Sequence, residues 1–241
     1  MTYLLLSDRR YDTDFLTLQR LLKDDSLGRL VDFETHFDRY VPGAPSTWKS
    51  KNIAGGGAIY DLGSHLLDQI VFLFGLPKRV TAFIGTQRTK ENNPDDFAEF
   101  FTVILQYANG FSATARGTCI SPEAAQLRYW IRGDKGSFKK HHVDVQEPQL
   151  RRQGMKPTDA GYAEEPKEHH GILTTVQNDG SFKTEVIPTT CEENYRTFYA
   201  AFASAIAGER DVPVPPDVPA KVIRLIELAK ESAKTGKSIE L

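Results

Sequence analysis

Residues 55–69 read GGGAIYDLGSHLLDQ, and the fold turns on whether that stretch is a helix. Helical spacing sets Asp61 and His65 four residues apart, one above the other on one face, with Asp68 beside them. Ile59, Leu62, Leu66, Ile70 and Leu73 then line the opposite side as an apolar stripe. Three glycines ahead of the helix, Gly55 to Gly57, let the backbone approach another group closely or turn through positive φ. A carboxylate and an imidazole one turn apart behind such an entry suit a small-molecule site. The same pattern suits an amphipathic helix whose polar face meets water, and periodicity alone leaves both readings open.

Outward from this helix the chain alternates between strand and helix patterns. Residues 3–6 form a short apolar run that reads as a strand, followed by Asp8-Arg9-Arg10. Phe15, Leu18, Leu21 and Leu22 then recur at helical spacing, with Asp12 or Thr13 as the expected cap and Gly28 as the stop. Over residues 30–40, Val31, Phe33, Thr35 and Phe37 alternate with Asp32, Glu34, His36 and Asp38, the mark of a half-buried strand. The Pro-, Gly- and Ser-rich residues 41–57 form a loop that brings Trp48 and Lys49 to the mouth of the central helix. Beyond Gly75 and Pro77, strands are expected at 79–86, 97–107, 111–119 and 126–132, with Asn109-Gly110 turning one hairpin. The 97–107 strand carries Phe97, Phe101, Val103, Leu105 and Tyr107 on one side and Ala98, Phe100 and Ile104 on the other, so both faces look buried. Residues 141–191 are polar and irregular, with room for a short hairpin or two, and suit a lid or binding loop. Helices over 193–206 and 216–235 close the chain. The sum is an α+β fold, with an open, largely antiparallel β-sheet and helices on one face.

Bulk properties narrow the function. Thirty basic residues against 32 acidic ones leave a net charge of −2, which argues against a nucleic-acid or anionic-membrane surface. Two cysteines, Cys119 and Cys191, are too few for a disulfide framework or a zinc module. No stretch has the length and apolarity of a signal peptide or a membrane span, so a cytoplasmic protein is expected. Gly55 and Gly57 supply two glycines of a G-x-G-x-x-G phosphate loop, but Tyr60 stands where the third belongs and KSKNIA ahead of them is no strand. Hence no cofactor-binding residue is assigned. A metal site at Asp61 and His65 would need His36, one of His141 and His142, or one of His169 and His170, and none is assigned. The nucleophile elbow G-x-S-x-G is absent.

The segment GGGAIYDLGSHLLDQ resembles the signature of the second domain of the Gfo/Idh/MocA oxidoreductases. DRRYDTDFLTLQRLL followed by GRLVDFETHFDRY resembles that family's crossover out of its Rossmann domain, and Trp48 with a following basic residue fits its pattern. LRRQGMKPTDAGY, the Glu164-Glu165-Pro166 triplet and NYRTFYAAFASAI are similar to a subgroup that includes inositol dehydrogenases, and SAKTGKSIEL to the family's final helix and strand. The resemblance implies a sheet like that of the C-terminal domain of glyceraldehyde-3-phosphate dehydrogenase, with no complete Rossmann fold. Residues 1–27 would be the end of a Rossmann domain and 28–241 the substrate and oligomerisation domain. It further implies Asp61 and His65 as catalytic residues, with Trp48, Lys49, Gly56 and Gly57 also meeting a polyol, inositol or sugar-like substrate. NAD or NADP would be bound by a full-length parent, with none expected on this chain alone. The family's catalytic lysine belongs to a Glu-Lys-Pro motif, whereas this chain has Glu165-Pro166-Lys167, in another order and place, and Asp8 stands where relatives carry asparagine. A homodimer or higher symmetric oligomer packed through the sheet face is expected. A regulatory or scaffold protein using the same fold is the alternative.

Overall fold

Alternation at period two builds the sheet. In the computed structural model, which describes residues 8–190 and 192–241, nine strands form it: β1 (Leu30–His36), β2 (Arg79–Gly85), β3 (Phe100–Gln106), β4 (Ser112–Thr118), β5 (Leu127–Gly133), β6 (Gly136–His141), β7 (Gly171–Val176), β8 (Phe182–Ile187) and β9 (Ile239–Glu240). Their order is β8-β7-β6-β5-β1-β4-β3-β2-β9. Every neighbouring pair is antiparallel except β1 and β4, which run parallel with Phe33 opposite Ala113. The strand expected at residues 3–6 lies outside the described residues.

Phe33, Val80, Phe101, Val103, Leu105, Ala113, Ile131 and Phe138 point to one side of the sheet and are fully buried. Three helices cover them: α1 (Thr13–Lys23) with Phe15, Leu18 and Leu21, α2 (Ser64–Phe74) with Leu66, Leu67 and Ile70, and α5 (Asp217–Thr235) with Val222, Leu225 and Ile226. Each such Phe, Leu, Ile or Val side chain contributes roughly 1.5–3 kcal/mol by leaving water. Among the described residues, the other side of the sheet carries no helix. There Phe100, Thr102 and Ile104 of β3 are only half-buried, so the expectation that both faces of this strand are buried fails within one chain.

Residues 141–190 are more regular than their sequence suggests. They contain α3 (Gln146–Arg151) and the β7–β8 hairpin, which extends the sheet. Strand β6 was not legible because one of its two buried inward side chains is Lys140, whose Nζ meets Glu165 at 3.0 Å and donates to the carbonyls of His141 and His142. A lysine on the core side breaks the apolar alternation on which strand reading depends.

Helix α1 ends at Lys23, before Gly28, and its cap also differs from expectation. Asp12 occupies the position before the helix, but its side chain accepts from the Tyr195 hydroxyl at 2.7 Å. The cap comes from across the fold: Asp144 Oδ2 accepts from both the amide and the hydroxyl of Thr13, each at 2.8 Å. Asp144 Oδ1 also accepts from the Gln146 amide, and Gln146 Oε1 accepts from the amide of Tyr195, the first residue of α4 (Tyr195–Ile206). The segment from Asp144 to Tyr195 is thus tied across the start of α1. Asp144→Ala leaves three buried donors without an acceptor, each worth roughly 1–3 kcal/mol. Chemical denaturation is expected to show a loss of about 3 kcal/mol or more, and a loss below ~1 kcal/mol would remove Asp144 from this role.

Candidate active site

The central stretch is helical, as its spacing predicts, but its first turn is wide. Ile59–Gly63 form a π-turn that leads directly into α2, a local widening frequent at functional sites. The glycines shape the entry. Gly57 has φ +91 and donates its amide to the Lys49 carbonyl at 2.8 Å, and a Cβ on Gly56 would lie 2.3 Å from the Lys51 carbonyl oxygen. This crossing holds the Trp48–Ser50 turn against the helix start. Lys49 Nζ reaches Asp61 Oδ1 at 2.5 Å, and Arg39 Nη2 approaches Asp61 Oδ2 at 3.9 Å. Trp48 is exposed.

His65 is partly buried, and its ring makes no hydrogen bond among the described residues. Burial pushes its pKa down to about 4; Arg9, Arg128 and Lys49 push the same way, and Asp61 opposes them. At neutral pH the imidazole is therefore uncharged and able to accept a proton. Asp68, expected beside this pair, is committed elsewhere, since Arg10 donates to both its oxygens at 2.8 and 2.7 Å. Gln69 is fully buried, donating to the Arg9 carbonyl and accepting from Arg128 and the Tyr129 hydroxyl. The polar side of α2 thus splits, with Asp61 and His65 partly open and Asp68 and Gln69 packed inside.

No group of three or more His, Cys, Asp or Glu among the described residues is arranged to hold a metal. His36 sits between Glu34 and Asp38, and His142 stacks on His169. No phosphate cradle forms at the glycines either: the amides of Gly56, Gly57 and Ala58 donate to Ile53, Lys49 and Ala98 carbonyls. Sequence reasoning missed Arg39, Arg10 and Arg9. Arg39 had a signal, because it continues the inward-facing series Phe33, Thr35, Phe37 as a charge at the end of an apolar row.

The depressed pKa of His65 has a stability consequence. An unfolded histidine takes its proton near pH 6.5, the folded one only near 4, so the unfolded state binds more protons between those values. Stability contributed by neutral His65 is complete above about pH 6.5 and falls as pH drops toward 4. Proton NMR is expected to find the His65 ring uncharged at pH 6, and His65→Gln to flatten the loss of stability between pH 6.5 and 4. A His65 titration midpoint above 6 would contradict the site geometry.

A sequence model for an oxidoreductase family, GFO_IDH_MocA_C, described as its C-terminal alpha/beta domain, matches residues 19–241. The chain is 37% identical to an uncharacterised oxidoreductase of Schizosaccharomyces pombe, C115.03, over 97% of this chain and 66% of that protein. It is also 37% identical to the scyllo-inositol 2-dehydrogenase (NADP(+)) IolW of Bacillus subtilis, over 97% of this chain and 63% of that one. The solved structure of yvaA from Bacillus subtilis superposes with a TM-score of 0.89 at 36% identity, over 98% of this chain and 65% of that chain. The chain thus spans less than two thirds of the length of these relatives. The helix entry, the open nine-stranded sheet and these matches place the chain in the Gfo/Idh/MocA family of oxidoreductases, as its C-terminal domain.

Proposed function

We propose that residues 28–241 are the substrate and oligomerisation domain of an NAD(P)-dependent oxidoreductase that acts on a CH–OH group of a polyol, inositol or sugar-like molecule, with residues 1–27 the end of its dinucleotide domain. The observation that carries this reading is the uncharged, unpartnered His65 imidazole one turn beyond an Asp61 carboxylate held by Lys49. Oxidation of a carbinol requires its hydroxyl proton to leave as the carbonyl forms. His65 takes that proton, Asp61 orients the hydroxyl, and Lys49 fixes Asp61. Trp48, next to Lys49 in the chain, is exposed, and Gly56 and Gly57 keep the loop close enough for Lys49 to reach. A nicotinamide bound by the full-length parent would supply the hydride acceptor. The amides of Gly56, Gly57 and Ala58 are already paired, and the dinucleotide is assigned to the domain that residues 1–27 would end. The relative IolW, an inositol dehydrogenase by name, supports the substrate class.

The bare side of the sheet is the expected contact between copies. Its two ends are apolar and exposed, with Phe83 on β2 and Ile172, Val176, Phe182 and Val186 on β7 and β8, while Asp32, Glu34, Arg132 and Lys139 lie between them. Apolar ends flanking a charged centre suit a symmetric, sheet-to-sheet pair. Light scattering at micromolar concentration is expected to give twice 27.0 kDa or a higher multiple, and Phe182→Asp to weaken the assembly. A stable monomer excludes this part of the proposal.

The chemistry is tested in a protein with a Rossmann domain joined ahead of this one. General acid–base help is worth ~10²–10⁴-fold, so His65→Ala is expected to lower turnover by about that factor. Asp61→Asn should do the same within about tenfold, with cofactor affinity little changed. Near-normal turnover in His65→Ala removes this helix from the chemistry.

A further inference from the structure

Two cations and one carboxylate meet at the opening. Lys49 is committed to Asp61 at 2.5 Å. Arg39 stops 3.9 Å from the other Asp61 oxygen, beyond hydrogen-bond reach, and its side chain makes no hydrogen bond among the described residues. The other arginines around this helix differ. Arg9 is paired with Glu147, Arg10 with Asp68, Arg88 with Glu99 and Arg128 with Asp14. Arg39 is nevertheless fixed in place. Its amide donates to the Thr118 carbonyl, its carbonyl accepts from the Ser121 amide, and its guanidinium lies 5.4 Å from the centre of the Phe37 ring. Its Nε is buried without a partner while 41% of the side chain is exposed, which leaves the terminal nitrogens as the donors open to a ligand. With His65 uncharged, the opening holds one positive charge more than its carboxylate balances.

We propose that the substrate carries a carboxylate, a sugar acid rather than a neutral polyol, and that Arg39 binds that anion. The proposal rests on the reading of Asp61 and His65 as the reacting pair, with the reacting hydroxyl at those residues and the carboxylate displaced toward β1. A guanidinium matches a planar carboxylate in geometry and makes hydrogen bonds about twice as strong as neutral ones. A singly charged carboxylate balances the surplus, whereas a neutral polyol leaves Arg39 unmatched and a phosphate dianion overshoots by one charge.

The test uses this 241-residue chain with two six-carbon probes at constant ionic strength, sodium glucuronate and myo-inositol. The Cε1–H resonance of His65, assigned by its loss in His65→Gln, reports occupancy. Glucuronate is expected to bind about tenfold or more tightly than inositol. Arg39→Gln should bring the ratio to about one, and Arg39→Lys should leave it in between, because the charge stays while the fork is lost. Equal affinities in the unsubstituted chain, or an advantage for glucuronate that survives Arg39→Gln, overturn the proposal. In either case a His65 shift on ligand addition leaves the Asp61–His65 site standing. If neither probe moves His65 at millimolar concentration, the site reading fails and the proposal with it.

Discussion

One fully buried guanidinium joins the helical layer to the sheet. Arg128 of β5 donates to Asp14 of α1 at 3.0 Å, to the His36 carbonyl of β1 at 3.2 Å and to Gln69 of α2 at 3.2 Å, and it stacks on Tyr129. A break in the β5–β6 register between Leu127 and Tyr129 lets these two consecutive residues both turn inward. A charge buried in this way is sustained only by its partners, and removing one from such a pair typically costs about 3–5 kcal/mol. Since Gln69 lies one turn beyond His65, the same contacts that hold the layers together set how α2 presents His65.

Around that anchor the charges have been sorted by depth. Asp12, Asp14 and Asp144 lie under the start of α1 with Arg9 and Arg128, and burial raises the pKa of Asp12 and Asp144. Nearer the surface, Lys49 and Asp61 form the single close ion pair beside His65 among the described residues. The deep groups fix position. The shallow ones are open to solvent. His65 stands between the two sets, feeling the cations of both and forming a hydrogen bond with neither.

Much of this was legible in the sequence, and what was not has a common cause. The apolar stripe of α2, the alternation of β1 and the Asn109-Gly110 turn are local patterns, and each formed where its spacing placed it. Asp61, His65 and Lys49 came from the same kind of reading, since they sit on the central helix or the loop that feeds it. The misses were charged residues whose partners are distant in the chain. Thr13 and Asp144 are 131 positions apart and Arg10 and Asp68 are 58 apart, and no periodicity links such pairs. Lys140 hid β6 for a related reason, as its partner Glu165 lies in the irregular segment beyond.

The placement of β1 carries a consequence for how the molecule assembles. On one side of it, β2, β3 and β4 are consecutive antiparallel neighbours; on the other, β5, β6, β7 and β8 are likewise consecutive. Each wing can zip from local contacts alone. Only β1 joins them, parallel to β4 and antiparallel to β5, and it must wait for strands some 80 and 100 positions further along the chain. Closing such loops is the slow kind of step in folding. The loop enclosed between β1 and β4 holds Lys49, Asp61 and His65, so the segment carrying these three side chains is captured by the same event that turns two half-sheets into one.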